Sequence, residues 1–215
     1  MKSFAVIGLG RFGTYIATAL SELGCEVLAI DRDEKRINQM ADVVTRAVTA
    51  DAQNKDVLKA LGVQDCDCAV VAIGQELAAA VLITLNLKEM GVENIICKAR
   101  DEQYGKVLEK VGATRIVSPE QMVAEKLARS LHSVNVLDYI ELSEDYGIID
   151  IPAPSVWVGK TIRELNIRAK LDVNIIAVKH EPKITVSPSA DYRIEKEDVM
   201  VVLGRYDSLD AVGKL

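Results

Sequence analysis

The sequence predicts an α/β protein: a doubly wound parallel sheet followed by a small α+β domain. Three observations carry that expectation. The chain opens on an apolar run, a spaced set of glycines and an amphipathic stretch. Strand-like and helix-like segments then alternate as far as residue 132. Beyond that point the composition shifts. Only Pro119 precedes it, whereas Pro152, Pro154, Pro182 and Pro188 follow, and strand-like segments outnumber helical ones.

The opening is the most specific of the three. Phe4 to Ile7 reads as a buried strand. Gly8, Gly10 and Gly13 follow in G-x-G-x-x-G spacing, and Phe12, Ile16, Leu20 and Leu23 fall on one stripe of a helix. A second apolar run, Val27 to Ile30, ends at Asp31, 18 residues beyond Gly13. Strand, glycines, helix, strand and acid in this order form the Rossmann nucleotide fingerprint. Gly8 permits the tight turn, Gly10 lets the backbone approach a phosphate, and Gly13 lets the helix pack closely on the strand. The helix amino terminus offers free N–H groups and the positive end of its dipole to phosphates. Asp31 accepts hydrogen bonds from ribose hydroxyls.

The remaining elements follow in order. Strands are expected at Phe4–Ile7, Glu26–Ile30, Arg46–Thr49, Cys68–Ile73, Asn94–Lys98 and Arg115–Val117. Helices are expected between them at Gly13–Leu23, Glu34–Met40, Lys55–Leu61, Gln75–Met90 and Gln103–Val111. A sixth helix, from about Pro119 to Leu131, has a well-marked start: Ser118 can cap it, Pro119 suits its first position and Glu120 its first turn. Six strand–helix pairs make one Rossmann domain over residues 1–133. Residues 134–215 read as the small α+β domain, with strands at Tyr146–Ile151, Val173–Val178, Ile184–Ser187 and Val199–Leu203. Its helices are expected at Thr161–Leu165, capped by Gly159-Lys160-Thr161, and at Asp207–Val212. A domain this small has a limited core and is often stabilised by dimerisation.

Composition narrows the class. Aromatic residues make up only 4% of the chain, so the core is built from Val, Ile, Leu and Ala, as parallel sheets are. A net charge of −6 argues against nucleic-acid binding. No apolar run reaches the ~18–20 residues of a membrane span. Met1-Lys2 leads straight into the glycine fingerprint without a secretory pattern, so a cytoplasmic protein is expected. Cys25, Cys66, Cys68 and Cys97 then read as reduced thiols rather than as disulfides or metal ligands.

Open parallel sheets bind ligands at the carboxyl ends of their strands. Those positions carry Asp51 and Ala52 after the third strand, Ala72, Ile73 and Gly74 at the fourth, and Lys98 and Arg100 at the fifth. Phe12 and Arg32 flank the glycine loop and the ribose acid. Arg11, inside the loop, adds a cation for a phosphate of its own or a neighbouring subunit's ligand. Two readings fit Glu120: a carboxylate for a phosphate-bound cation, or an acid complementing a helix dipole. The catalytic inventory is thin. There are only two histidines, and no Ser–His–Asp, His–Glu or Cys–His set and no Walker-type lysine loop is visible. A nucleotide site without catalytic equipment suggests a sensor, in which the ligand shifts a conformational equilibrium. The alternative, an NAD-dependent oxidoreductase, needs a substrate domain that the small second domain supplies poorly, and Asp31 disfavours NADP.

The segments FAVIGLGRFG, LAIDRDEKRINQ, VVAIG, KARDEQYGKVLEKVGATRIVSPE and NVLDYIEL together resemble the cytosolic regulatory subunits of Ktr/Trk potassium-uptake systems, closest to the KtrA/KtrC type. These are built from an RCK N-terminal and an RCK C-terminal domain, and the resemblance covers essentially the whole chain. It implies a homodimer assembling into an octameric ring on a membrane potassium-translocating subunit of the KtrB/TrkH type, at the inner face of the membrane. It implies ATP, ADP or NAD(H) in the N-terminal domain. Arg11 then matches the arginine that reaches the terminal phosphate, Asp31 the ribose acid, and Glu120 the glutamate of a Mg2+ or monovalent-cation site. It also implies an inhibitory cyclic di-AMP site across the C-terminal dimer interface. There Ile162, Ile167, Arg168, Asn174, His180 and Pro188 match the pocket. The segment Glu181 to Ile194 departs from the family's spacing.

Overall fold

The computed structural model describes residues 1–132, 138–143 and 145–215. The expected boundary between residues 133 and 134 lies outside them. The chain divides into two compact units, Met1–Gln121 and Met122–Leu215.

The first unit alternates strand and helix: β1 (Ser3–Ile7), α1 (Arg11–Glu22), β2 (Glu26–Asp31), α2 (Glu34–Met40), β3 (Arg46–Thr49), α3 (Lys55–Leu61), β4 (Cys68–Val71), α4 (Leu77–Glu89), β5 (Ile95–Lys98), α5 (Glu102–Val111) and β6 (Arg115–Val117). The strands form one sheet in the order β3-β2-β1-β4-β5-β6, and every pairing is parallel. This is the doubly wound sheet, and its order reverses between β1 and β4. Side chains of a strand alternate between faces, so β1 feeds two cores. Ala5 and Ile7 pack with Leu58 of α3, Ile83 and Leu87 of α4, and Leu108 of α5. Val6 packs with Ala17 of α1 and with Ile37 and Met40 of α2. Caps fix several helix starts. Asp33, Asn54 and Asp101 each accept a backbone N–H from the first turn they precede.

The expected boundaries hold to within a few residues, with the largest departures around the ligand side of the sheet. β4 stops at Val71, before Ala72 and Ile73, and α4 starts at Leu77 rather than Gln75. The intervening residues 72–76 form a loop. Its apolar residues made it look like strand, although Gly74 breaks the run.

α6 (Pro119–His132) begins in the first unit and continues into the second. The second unit then contains β7 (Asp138–Glu141), β8 (Tyr146–Pro152), α7 (Ile162–Leu165), α8 (Ile167–Leu171), β9 (Val173–His180), β10 (Lys183–Val186), β11 (Val199–Arg205) and α9 (Tyr206–Gly213). Its sheet is antiparallel, in the order β10-β9-β11-β8-β7. Ile149 and Ile151, Val173 and Val178, and Met200 and Val202 form the core with Trp157, Leu165, Leu209 and Val212. Two elements were not expected, β7 and α8. The expected helix Thr161–Leu165 ends where Asn166 takes a left-handed φ of 48°, and the short helix α8 follows it. Asp172, also left-handed, ends α8. α7 opens on a capping box: the Thr161 hydroxyl accepts the Glu164 N–H and the Glu164 carboxylate accepts the Thr161 N–H.

Candidate functional site

At the carboxyl end of β1 the chain turns through Gly8 and enters α1. Gly8 sits at φ +93°, and a Cβ there would lie 2.9 Å from Ile73 Cγ1. Gly13 has the opposite surroundings from Gly10. A Cβ on Gly13 would fall 1.8 Å from the Gly8 carbonyl oxygen, so the third glycine is a packing residue. A Cβ on Gly10 would meet nothing within 4 Å, because that position faces an open cleft. Gly10 caps α1 without a side chain, and no acid occupies the first turn. The amino end of α1 therefore presents its N–H groups to the cleft with no carboxylate competing.

The cleft has a volume of about 520 Å³ and lies across the reversal of strand order. Every sequence-derived nucleotide residue except Gly13 lines it: Gly8, Gly10, Arg11, Phe12, Asp31, Arg32, Asp51, Ala52, Ala72, Ile73, Gly74, Lys98 and Glu120. Arg36, Gln53, Gln75, Glu76, Ala79, Ile83 and Arg100 also line it. Of these, Arg100 had been marked as a strand-end cation; the others carried no motif. Arg36 lies on α2, and Ala79 and Ile83 share one face of α4, so only folding brings them to the loop. A larger hollow, about 860 Å³, opens at the amino ends of the strands beside Phe4, Cys66, Asp67 and Cys68, and it holds none of the loop glycines and not Asp31.

Charges divide the cleft in two. At the β2 end, Asp31 is 7% exposed and already engaged. One carboxylate oxygen accepts the Leu9 N–H at 2.6 Å and faces Arg36 at 3.3 Å; the other accepts the Asp33 N–H at 2.8 Å. A carboxylate oxygen can accept two hydrogen bonds, so the second oxygen retains capacity for a ribose hydroxyl. At the β5 end, the Lys98 ammonium sits 2.6 Å from Glu120 and 5.9 Å from the centre of the Phe12 ring. The hydrogen bond from Lys98 holds the Glu120 carboxyl below the usual range, and the Arg11 charge adds to that. Arg100 stacks on Tyr104 at 4.2 Å and pairs with Asp101.

The glycine turn, the open Gly10 position and the surrounding cations fit an anionic nucleotide. A cation fits less well: Glu120 is paired with Lys98, and among the described residues no group of three His, Cys, Asp or Glu gathers as ligands. Among the described residues the cleft lining holds no histidine, cysteine or serine. The four cysteines are free thiols, and burial pushes Cys97 up to about 11.

The second unit distributes its expected ligand residues. Ile167 is 4% exposed and lies in the core, with Ile162 packed against that core. Arg168 and Asn174 are exposed, and Pro188 is half-buried. Ile167 was expected as a ligand contact on the family resemblance; in the fold it is buried among core residues instead. Asn174 and His180 stand at opposite ends of β9, roughly 20 Å apart at ~3.3 Å per residue. His180 Nδ1 is held 2.8 Å from Asp198, whose buried carboxylate also accepts the Tyr192 hydroxyl at 3.0 Å and the Glu195 N–H at 2.8 Å. The bond to Asp198 raises the His180 pKa, and burial pushes Tyr192 up to about 12. Neither Tyr192 nor Asp198 was marked from sequence. Among the described residues, no helix is long and apolar enough to cross a membrane.

With this geometry in hand, two domain families match the chain: the TrkA-N domain over residues 4–119 and the TrkA-C domain over residues 147–215. The Ktr system potassium uptake protein C of Bacillus subtilis (strain 168) is 47% identical over 203 residues, covering 94% of this chain and 92% of its own length. The Ktr system potassium uptake protein A of the same organism is 43% identical over 203 residues, covering 94% and 91%. Among solved structures, the GsuK channel bound to NAD superposes with a TM-score of 0.65 at 17% identity. That match covers 97% of this chain and 38% of the channel's, and it is a likeness of fold.

Proposed function

Since the chain belongs to the TrkA-N/TrkA-C family of the Ktr potassium-uptake proteins, we propose that it is a regulatory subunit whose state is set by a nucleotide. ATP and ADP, or NAD(H), occupy the 520 Å³ cleft, with phosphates on the Gly8–Gly13 loop and the ribose at Asp31. The single observation that carries this reading is the loop itself: Gly10 opens onto the cleft while Gly13 is packed against Gly8. Arg11, exposed beside it, reads the terminal phosphate. A Mg2+ or monovalent cation at the phosphates would be held chiefly by the ligand's own oxygens, since Glu120 is already paired with Lys98. The partner is a membrane potassium-translocating subunit of the KtrB/TrkH type, with homodimers assembled as an octameric ring at the cytoplasmic face. The Met122–Leu215 unit binds cyclic di-AMP across a two-fold axis and thereby inhibits; a symmetric ligand suits an interface offering the same residues twice. Arg168 and Asn174 are its exposed contacts. Since Asn174 and His180 lie far apart on one strand, they reach one such ligand only from different copies.

Only differential affinity for two conformations lets a ligand shift their balance. ATP therefore raises potassium flux in liposomes containing the partner and this chain, and ADP lowers it. Non-hydrolysable ATP analogues activate equally. Equal flux with ATP and ADP, or a requirement for hydrolysis, overturns this reading. Turnover of NADH with a carbonyl substrate would point to the oxidoreductase instead.

A further inference from the structure

Asp31 is flanked by two cations, and both are paired. Arg32, just beyond β2, sets both terminal guanidinium nitrogens against both carboxylate oxygens of Glu76, the residue preceding α4. Arg36 lies 3.3 Å from Asp31 and 3.5 Å from Asp33. Asp31, Arg32, Arg36 and Glu76 all line the cleft.

In a fold of this kind an acid after the second strand receives the ribose hydroxyls, while an arginine nearby accommodates a ribose 2′-phosphate. This chain carries both residue types at consecutive positions. Asp31 disfavours a 2′-phosphate, but an adjacent free arginine could offset it, so the pairing of that arginine bears on the choice. Here its fork is turned onto a carboxylate. At this end of the cleft both lining guanidinium groups are already engaged, Arg32 by Glu76 and Arg36 by Asp31, so a dianionic substituent beside Asp31 would meet carboxylates and no uncommitted arginine of that pair. Glu76 makes no side-chain hydrogen bond that caps α4, so its carboxylate is free of that structural duty. An exposed ion pair also contributes little to stability.

We propose that Glu76 is a specificity-determining residue: by holding Arg32, it makes the cleft select adenine nucleotides with a free 2′-hydroxyl and reject those with a 2′-phosphate. This rests on the nucleotide reading of the cleft. The probes are NADH and NADPH, which differ only in that phosphate, titrated into the full chain at low ionic strength. The wild-type chain binds NADH more tightly. Glu76→Gln lowers the ratio of the NADPH to the NADH dissociation constant about tenfold, the size of one charge-assisted contact. Glu76→Ala does the same, and Arg32→Gln added to Glu76→Gln restores the wild-type ratio. An unchanged ratio in Glu76→Gln and Glu76→Ala, with NADH still bound, overturns the proposal alone. Absence of NADH binding to the wild-type chain, or NADH binding that survives Gly10→Val unaltered, overturns the cleft reading and this inference with it.

Discussion

In Met1–Gln121 six parallel strands are covered by helices on both faces, with one core cluster on each side. In Met122–Leu215 five antiparallel strands share a single core cluster, and the opposite face of the sheet carries Asp150 paired with Lys179. The difference decides where a ligand can go. A sheet covered on both faces leaves only strand ends and the loops beyond them, so its binding residues gather at the carboxyl ends of the strands. The antiparallel unit places its expected ligand residues on α7, α8, both ends of β9 and the turn after β10. One of them, Ile167, is spent on the core, and another, His180, is held by Asp198.

The largest way to break the contrast is to disturb the first unit's glycine turn. Gly13→Val drives a side chain into the Gly8 carbonyl, which already lies 1.8 Å from a Cβ at that position. The expected cost is about 3 kcal/mol, from overpacking with no room to relax. Thermal denaturation reads it, and an unchanged midpoint would mean that α1 can move away from β1.

Arg11 sharpens the comparison at smaller scale, because it tests function without touching the core. One charge-assisted contact is worth roughly 1.5–3 kcal/mol. Arg11→Ala should therefore weaken ATP about tenfold or more and ADP much less. Equal losses for the two nucleotides, measured by calorimetry, would remove Arg11 from the terminal phosphate.

The smallest effect belongs to the second unit and depends on pH. The Asp198 bond raises the pKa of His180 above its ordinary value. That contribution is fully present below the unfolded histidine pKa of about 6.5 and is lost as pH rises through the higher folded value. The full chain should therefore lose stability across that window, and Asp198→Asn should flatten the slope. A stability profile with the same slope in wild type and Asp198→Asn would separate His180 from Asp198.

How much of this was legible in the sequence follows from the same contrast. The glycine spacing, Asp31 and the strand-end residues are local signals, and all but Gly13 line the cleft. Arg36, Glu76, Ala79 and Ile83 were not legible, because they reach the cleft from α2 and α4 through tertiary packing. In the second unit the helix at Thr161 was marked by its Gly159-Lys160-Thr161 start, but the capping-box role of Glu164 was not. The short helix after Asn166, α8, was not marked, because a piece of five residues leaves little periodic trace. Asp198 was invisible for a similar reason: its partners His180 and Tyr192 come from β9 and from the segment before β11.

The central claim is that the open side of Gly10 is where phosphate lies. Isothermal calorimetry of ATP with folded Gly10→Val tests it most directly, because the new side chain points into the cleft and meets no protein atom within 4 Å of its Cβ. The account predicts an unfolding midpoint close to wild type together with loss of ATP, ADP and NADH binding. ATP affinity equal to wild type in that folded variant would contradict it.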